Sequence, residues 1–488
     1  MVIGQILGIG KLYKNLVLLN RNYLLNLAIL HNDLYFHHIA ERGMKMNSEQ
    51  NILAKNFKGI QLLSFALPTI IMMVFSGLYT IVDTIFVAHF VNTDALAAIN
   101  IVTPIISLII GLGTMLASGG NAIISRNMGA NMEQQARENF TLIIIVSAAF
   151  GIILAIIGFV WINDILRWLG ASDNLFGYAK DYLSILLIFF PAYLIQTAFA
   201  NLFVTAGHPG LGSVLSICSG ILNIVLDYIF IAIYNMGICG AALGTGFGYL
   251  MPTVVGVCFF GIRRKEMLHF CKAKWKMDFV IESCLNGSSE MVGQLAMAVT
   301  VILFNLSMMK LSGDDGVAAI TVMNYSQFLL NTIFIGFSMG VAPVIGFNHG
   351  SKNINRQKRV LHFSLQFISA ASVCVFIISY FGGGIIVKMF TDDKSNVFHL
   401  ASEGFKLFAF SFLFSGLNIF ASAMFTSLSN GKVSALLSFL RTFVFLIIAI
   451  LVLPHIFGIN GIWLAIPVAE AMAFIFSLFF VIRQLKIY

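Results

Sequence analysis

From residue 59 to the C-terminus the chain alternates long apolar stretches with short polar breaks. A helix that crosses a membrane needs about 20 mainly apolar residues. By that measure the pattern predicts twelve spanning helices, near 59–88, 95–124, 138–162, 178–205, 211–234, 238–261, 280–310, 316–345, 359–386, 398–428, 433–456 and 459–483. Several are longer than the minimum, which implies tilt or ends that stand clear of the hydrocarbon. The expected fold class is therefore all-α, a polytopic membrane protein.

The second half of the pattern repeats the first at a constant offset of 221 residues. Asp94-Ala-Leu-Ala-Ala-Ile99 returns as Asp315-Gly-Val-Ala-Ala-Ile320, Asn127-Met-Gly129 as Asn348-His-Gly350, and Gly237-Ile-Cys-Gly240 as Gly458-Ile-Asn-Gly461. Six spans per copy is an even number, so both copies enter the membrane in the same sense. The axis relating the two six-helix bundles then runs along the membrane normal, an architecture of transporters that rock one half against the other. The expected organisation is an N-terminal extension (1–46), a first lobe (47–264), a basic linker (265–279) and a second lobe (280–488). The 442 residues from 47 onward are twice 221, which makes Met46 a candidate start and residues 1–45 an arm outside the fold. An amphipathic surface helix is the alternative for that arm.

Composition narrows the class. The chain is 59% hydrophobic and 10% charged, with a mean hydropathy of +0.91, whereas soluble domains carry about 25% charged residues. Its net charge of +8 does not indicate nucleic acid, because Lys and Arg fall in the short loops. Seventeen lie on the side of the N-terminus and six on the other, among them Arg167 and Lys388. That bias places both termini in the cytoplasm and the chain in the cell membrane. The basic stretch Arg263–Met277 reads as a linker facing lipid headgroups. Six cysteines without a C-x-x-C spacing give neither a metal site nor a disulfide framework. His89, His349, His362 and His455 are scattered among loops and helix ends, so no catalytic cluster, resident metal or cofactor is expected.

Charged residues inside the spans carry the chemistry. An Asp at a helix centre costs about 2.5–3.5 kcal/mol on insertion scales, so each needs a reason. Asp83 in the first span and Asp227 in the fifth lie at similar depth, with Thr245 of the sixth span at the same level. Asn223, four residues before Asp227, shares its helix face. At about 1.5 Å per residue all are set in from the outer ends of their spans. The second copy has Phe304, Ile448 and Val444 at the positions matching Asp83, Asp227 and Asn223. It carries its own charges instead: Glu290 in the seventh span and Arg441 in the eleventh, similar enough in depth to form a buried ion pair or to handle substrate or protons. Glu470 of the twelfth span is an alternative partner for Arg441. Pro68, inside the first span, removes one helical hydrogen bond and marks a static kink or a hinge.

Low dielectric disfavours the charged form of a carboxylate, so a proton or Na⁺ and a cationic organic molecule would compete for the same acids. Forty-six Phe and 21 Met residues suit an adaptable apolar cavity, although lipid-facing positions account for many of them.

The residues from 47 onward resemble the multidrug and toxic compound extrusion (MATE) family. The resemblance rests on Leu67-Pro68 with Val82-Asp83-Thr84, Asp94-Ala-Leu-Ala-Ala-Ile99, Asn223-Ile-Val-Leu-Asp227 and Gly240-Ala-Ala-Leu-Gly-Thr245. It implies twelve helices in two lobes that open as a V, and cation-driven efflux of small organic molecules by a monomer. The acids of the first lobe are similar to those of the DinF-like branch. There the positions matching Asp83, Asn223, Asp227 and Thr245 form the coupling site, Tyr182 matches a contributor to it, and Pro68 matches the bending proline. Gly287-Ser-Ser-Glu290 departs from the family's usual Gly-x-Pro. The alternatives are a flippase for a lipid-linked saccharide and an exporter of one metabolite.

Overall fold

The computed structural model describes residues 52–488 apart from 92, 265, 389–390 and 392–393, and the side chains at 81–90, 93 and 96 lie outside the description. The expectation for residues 1–46 falls outside the described residues. Residues Asn56–Tyr488 form one compact unit, to which all the long helices among the described residues belong.

Among the described residues, eleven helices are long and apolar enough to cross a membrane. In chain order, α1 is Gly59–Phe90, α2 Thr93–Gly129, α3 Glu133–Val160 and α4 Asp173–Thr205, with a short helix, Ile162–Trp168, between α3 and α4. α5 begins with Pro209–Asp227 and continues through a π-helical turn, Tyr228–Ile233; α6 is Gly237–Ile262.

The next helix, Met277–Gly350, counts 74 residues, but Gly313 within it has φ 61° and ψ −148°, a conformation open to glycine and foreign to a helix. In a straight rod residues 283 and 346 would stand about 95 Å apart. Instead both pack on one short stretch of α2, Ser283 against Gly119 and Gly120, and Gly346 against Ser125. The rod folds back at Gly313 into α7 (277–312) and α8 (314–350). The chain therefore makes the twelve crossings that its hydropathy predicts.

α9 is Ile354–Lys388. α10 joins Asn396–Phe408 to Phe412–Ser427 through a 3-10 turn, Ala409–Ser411. α11 runs Gly431–Phe439, a π-helical turn Leu440–Phe445, then Leu446–Phe457, and α12 is Ile459–Ile487. The duplication reaches backbone detail. Asn131 and Lys352, 221 residues apart, have φ of 60° and 53°, and Gly237 and Gly458, at the same offset, have φ of 56° and 58°.

The two halves meet where small residues let backbones touch, the usual basis of helix association in lipid. A Cβ at Gly119 of α2 would collide with Ser283 O and Gly287 N of α7, and one at Gly287 with Met115 O. The repeat-related crossing sets Gly340 of α8 against Ala66 and Thr69 of α1. At the end of the bundle that holds the basic loops, Gly129 abuts Phe347 O while Gly350 abuts Arg126 O, so α2 and α8 cross backbone to backbone. Arg126 also pairs with Glu282 of α7 at 3.0 Å. The outward faces are apolar, as lipid requires: Ile152, Ile153, Ile156 and Val160 of α3 are all exposed.

The linker packs against the first lobe. Lys276 pairs with Glu138 at 2.8 Å, Arg137 Nε donates to Met267 O at 2.9 Å, and the Cys271 amide donates to Thr141 Oγ1 at 3.1 Å. These bonds strap it to the first turns of α3.

Candidate functional site

α5 and α6 form an antiparallel hairpin whose closeness is set by glycines every fourth residue of α6. Gly240 packs on Phe230 and Ile231, Gly244 on Asp227, and Gly248 on Asn223 and Ser219. Residues four apart share a helix face, so this stripe lies wholly against α5. Ser219 Oγ then reaches the Gly248 carbonyl at 2.6 Å. Asp227 is 1% exposed and Asn223 4%. Asn223 Nδ2 lies 3.5 Å from Thr245 Oγ1, at the outer limit of a hydrogen bond. Of the residues that the sequence singled out, Asp227, Asn223 and Thr245 are thus brought together.

α1 lies along α5, where Phe75 and Tyr79 pack on Gly220. Position 83 is one turn beyond Tyr79 on the same face of α1, as Asn223 is one turn beyond Gly220 on α5. The helix register therefore carries position 83 to the level of Asn223; the Asp83 side chain lies outside the described ones. Tyr182 is buried on α4. α4 runs beside α6, with Thr253 Oγ1 donating to Ala192 O at 2.8 Å and Phe189 packed on Gly246. Tyr182 sits toward the opposite end of α4 from the basic loops, near the level of Gly240.

Pro68 lies within α1 without ending it. Ser213 Oγ of α5 donates to the Pro68 carbonyl at 2.5 Å, and Gly340 of α8 presses on the neighbouring Thr69. The proline is therefore placed where α1 touches both its own bundle and the other half.

Gly244 was not singled out by the sequence reading, although the four-residue glycine spacing is visible there. Any Cβ at 244 would overlap Asp227 Oδ1. Gly244→Ala should displace the carboxylate and lower export about tenfold while the protein still inserts, since overpacking of this kind costs about 1–3 kcal/mol. Efflux from cells with matched membrane levels measures it. A wild-type rate would show that the close contact is dispensable.

The MatE family model matches residues 68–229 and again residues 291–451, once in each half. The chain belongs to the MatE family. Membership makes it a multi-pass membrane transporter and not an enzyme. It is similar to the multidrug export protein MepA of Staphylococcus haemolyticus, 26% identical over 425 residues that cover 86% of this chain and 92% of that protein. MepA of Staphylococcus saprophyticus is 23% identical over 85% of this chain and 91% of its own length. Among solved structures, an outward-facing multidrug resistance MATE transporter superposes with a TM-score of 0.82 at 21% identity, covering 88% of this chain and 99% of that one. A MOP superfamily transporter from Pyrococcus furiosus gives 0.81 at 21% identity, with 88% and 99% covered. The fold is shared throughout.

In the second half of this MatE protein the charges pair differently from the first expectation. Arg441 does not bond Glu290. Its guanidinium grips Glu470 of α12, with Nε and Nη2 each 2.8 Å from Oε1. Asn418 of α10 completes the clamp, its Nδ2 donating to Glu470 Oε2 at 2.7 Å and to the Glu470 carbonyl at 2.9 Å. Glu470 wins because α11 and α12 form a hairpin that sets the two side chains face to face. Gly287-Ser-Ser-Glu290 has a definite place: Gly287 crosses α2, Ser289 O accepts from Ser438 of α11 at 2.9 Å, and Ser289 Oγ lies 3.4 Å from Thr426 Oγ1.

Proposed function

We propose that this MatE protein exchanges H⁺ or Na⁺ for small organic molecules, often cationic and drug-like, by alternating access. It works in the cytoplasmic membrane, as a monomer with both termini in the cytoplasm. The observation that carries the reading is the burial of Asp227 within a membrane helix hairpin, beside Asn223 and Thr245 and level with position 83. An acid held there favours positive charge beside it. A small cation and a cationic cargo satisfy it equally and exclude each other. Exchange follows if the halves rearrange only with the acids occupied, so that entry of the small cation releases cargo outward. Tyr182 lines the same end of the hairpin, and Pro68, touched by α5 and α8 together, is the hinge. The multidrug export function of the staphylococcal relatives and the basic loops gathered at one end of the bundle support the same direction.

Proteoliposomes loaded with a panel of fluorescent organic cations test it. An imposed pH or Na⁺ gradient should drive several of them uphill, and dissipating the gradient should stop transport. Failure of either gradient to move any member of the panel would end this reading.

A further inference from the structure

Among the described residues, Glu290 is a second carboxylate inside the spans of the second half that the Arg441–Glu470–Asn418 clamp does not engage. It lies on α7, half-buried, one residue beyond Ser289, whose carbonyl holds Ser438 one turn before Arg441. It feels the Arg441 charge, yet no ion pair or hydrogen bond engages it among the described residues. Two carboxylates and one guanidinium thus lie on neighbouring helices inside the membrane, with one negative charge in excess. Asn418 supplies an independent sign. It is 2% exposed, its nitrogen is spent on Glu470, and its Oδ1 is buried with no hydrogen-bond partner. Both unfilled groups are acceptors, so the complementary ligand is a hydrogen-donating cation.

We propose that the second half carries a cation site of its own at Glu290, selective for organic ammonium groups, and that Glu470 and Asn418 serve it by holding Arg441 away. Arg441 is the built-in competitor. It sits in the π-helical turn Leu440–Phe445, a local irregularity that often accompanies functional sites in helices. While Glu470 holds the guanidinium, Glu290 is open to a ligand; once that hold loosens, the guanidinium reaches Glu290 and expels the ligand. The site is separate from Asp83 and Asp227 and does not rest on their role.

The test is binding of rhodamine 6G, a fluorescent monovalent cation with N–H groups, to the purified full-length protein. It is measured in the wild type and again in an Asp83→Asn/Asp227→Asn background, which removes the acids of the first half. Glu290→Gln should weaken binding about tenfold, the scale of one charge-assisted hydrogen bond. Glu470→Gln should weaken it similarly by releasing Arg441 onto Glu290. Arg441→Met/Glu470→Gln removes the competitor together with its holder, and should bind as tightly as the parent or tighter. A merely structural pair would not give that recovery. Because the double variant removes both members of the Arg441–Glu470 pair and strands neither, it decides the question even if Glu470→Gln alone does not fold. Unchanged affinity in Glu290→Gln overturns the site, and a double variant that binds more weakly than the parent overturns the role of Arg441.

Discussion

Asp227→Asn and Asp83→Asn, made singly, should each abolish gradient-driven export while leaving the protein inserted and folded. The amide keeps the volume of the carboxyl, so the packing of Gly244 and Gly248 on α5 is undisturbed. On the proposed exchange, what is lost is the charge for which cargo and small cation compete. At 100 mV, one charge moving across the membrane supplies about 2.3 kcal/mol, worth roughly fifty-fold in gradient. In proteoliposomes with an imposed pH or Na⁺ gradient, the accumulation ratio of a cationic dye should fall from that scale toward one. Downhill leakage of the dye should persist at a low rate, which separates loss of coupling from loss of protein. A full uphill gradient in either variant would remove these acids from energy conversion.

The fold was largely legible because a bilayer admits few structures. Backbone groups in lipid must bond within their own helix, so hydropathy marks each crossing, and the break at Gly313 falls between the predicted spans 280–310 and 316–345. The first-half site was partly legible for the same reason: a buried acid stands out against apolar sequence, and the spacing of Asn223 and Asp227 fixes a common face. Side-chain partners were less so. Arg441 could meet Glu290 or Glu470 at similar depth, and the choice depends on how α11 and α12 pack, which no local pattern encodes. The straps from Arg137, Glu138 and Thr141 to the linker were hidden likewise, since basic residues beside a membrane look alike whether they face headgroups or a neighbouring helix. The glycine stripe 240, 244, 248 is the opposite case, a four-residue period that marks a close helix contact and was open to sequence reasoning.

The second large effect is expected at Gly129 and Gly350. Each presses on a carbonyl of the opposite helix, Phe347 O and Arg126 O respectively, so a side chain at either position meets backbone, which no rotamer change can move aside. On the proposed alternating access the two halves part at this end of the bundle and close again, and closure needs direct contact of α2 with α8. Gly129→Val or Gly350→Val should therefore hold the basic end apart, with export reduced at least about tenfold on the scale of a 1–3 kcal/mol overpacking cost. A cysteine at Ser125, which is 0% exposed and packed near Gly346, reports the opening in a background without the six native cysteines. Labelling by a membrane-impermeant maleimide applied from the side of the basic loops should rise at least about tenfold in the valine variants. The surface pair Arg126–Glu282 should matter far less, since exposed ion pairs contribute about 0–1 kcal/mol; Glu282→Gln should leave both labelling and export near wild type. Normal export together with unchanged labelling in Gly350→Val would mean that the halves close through some other contact. A larger effect from Glu282→Gln than from the valines would place the latch in that ion pair instead of in the backbone crossing.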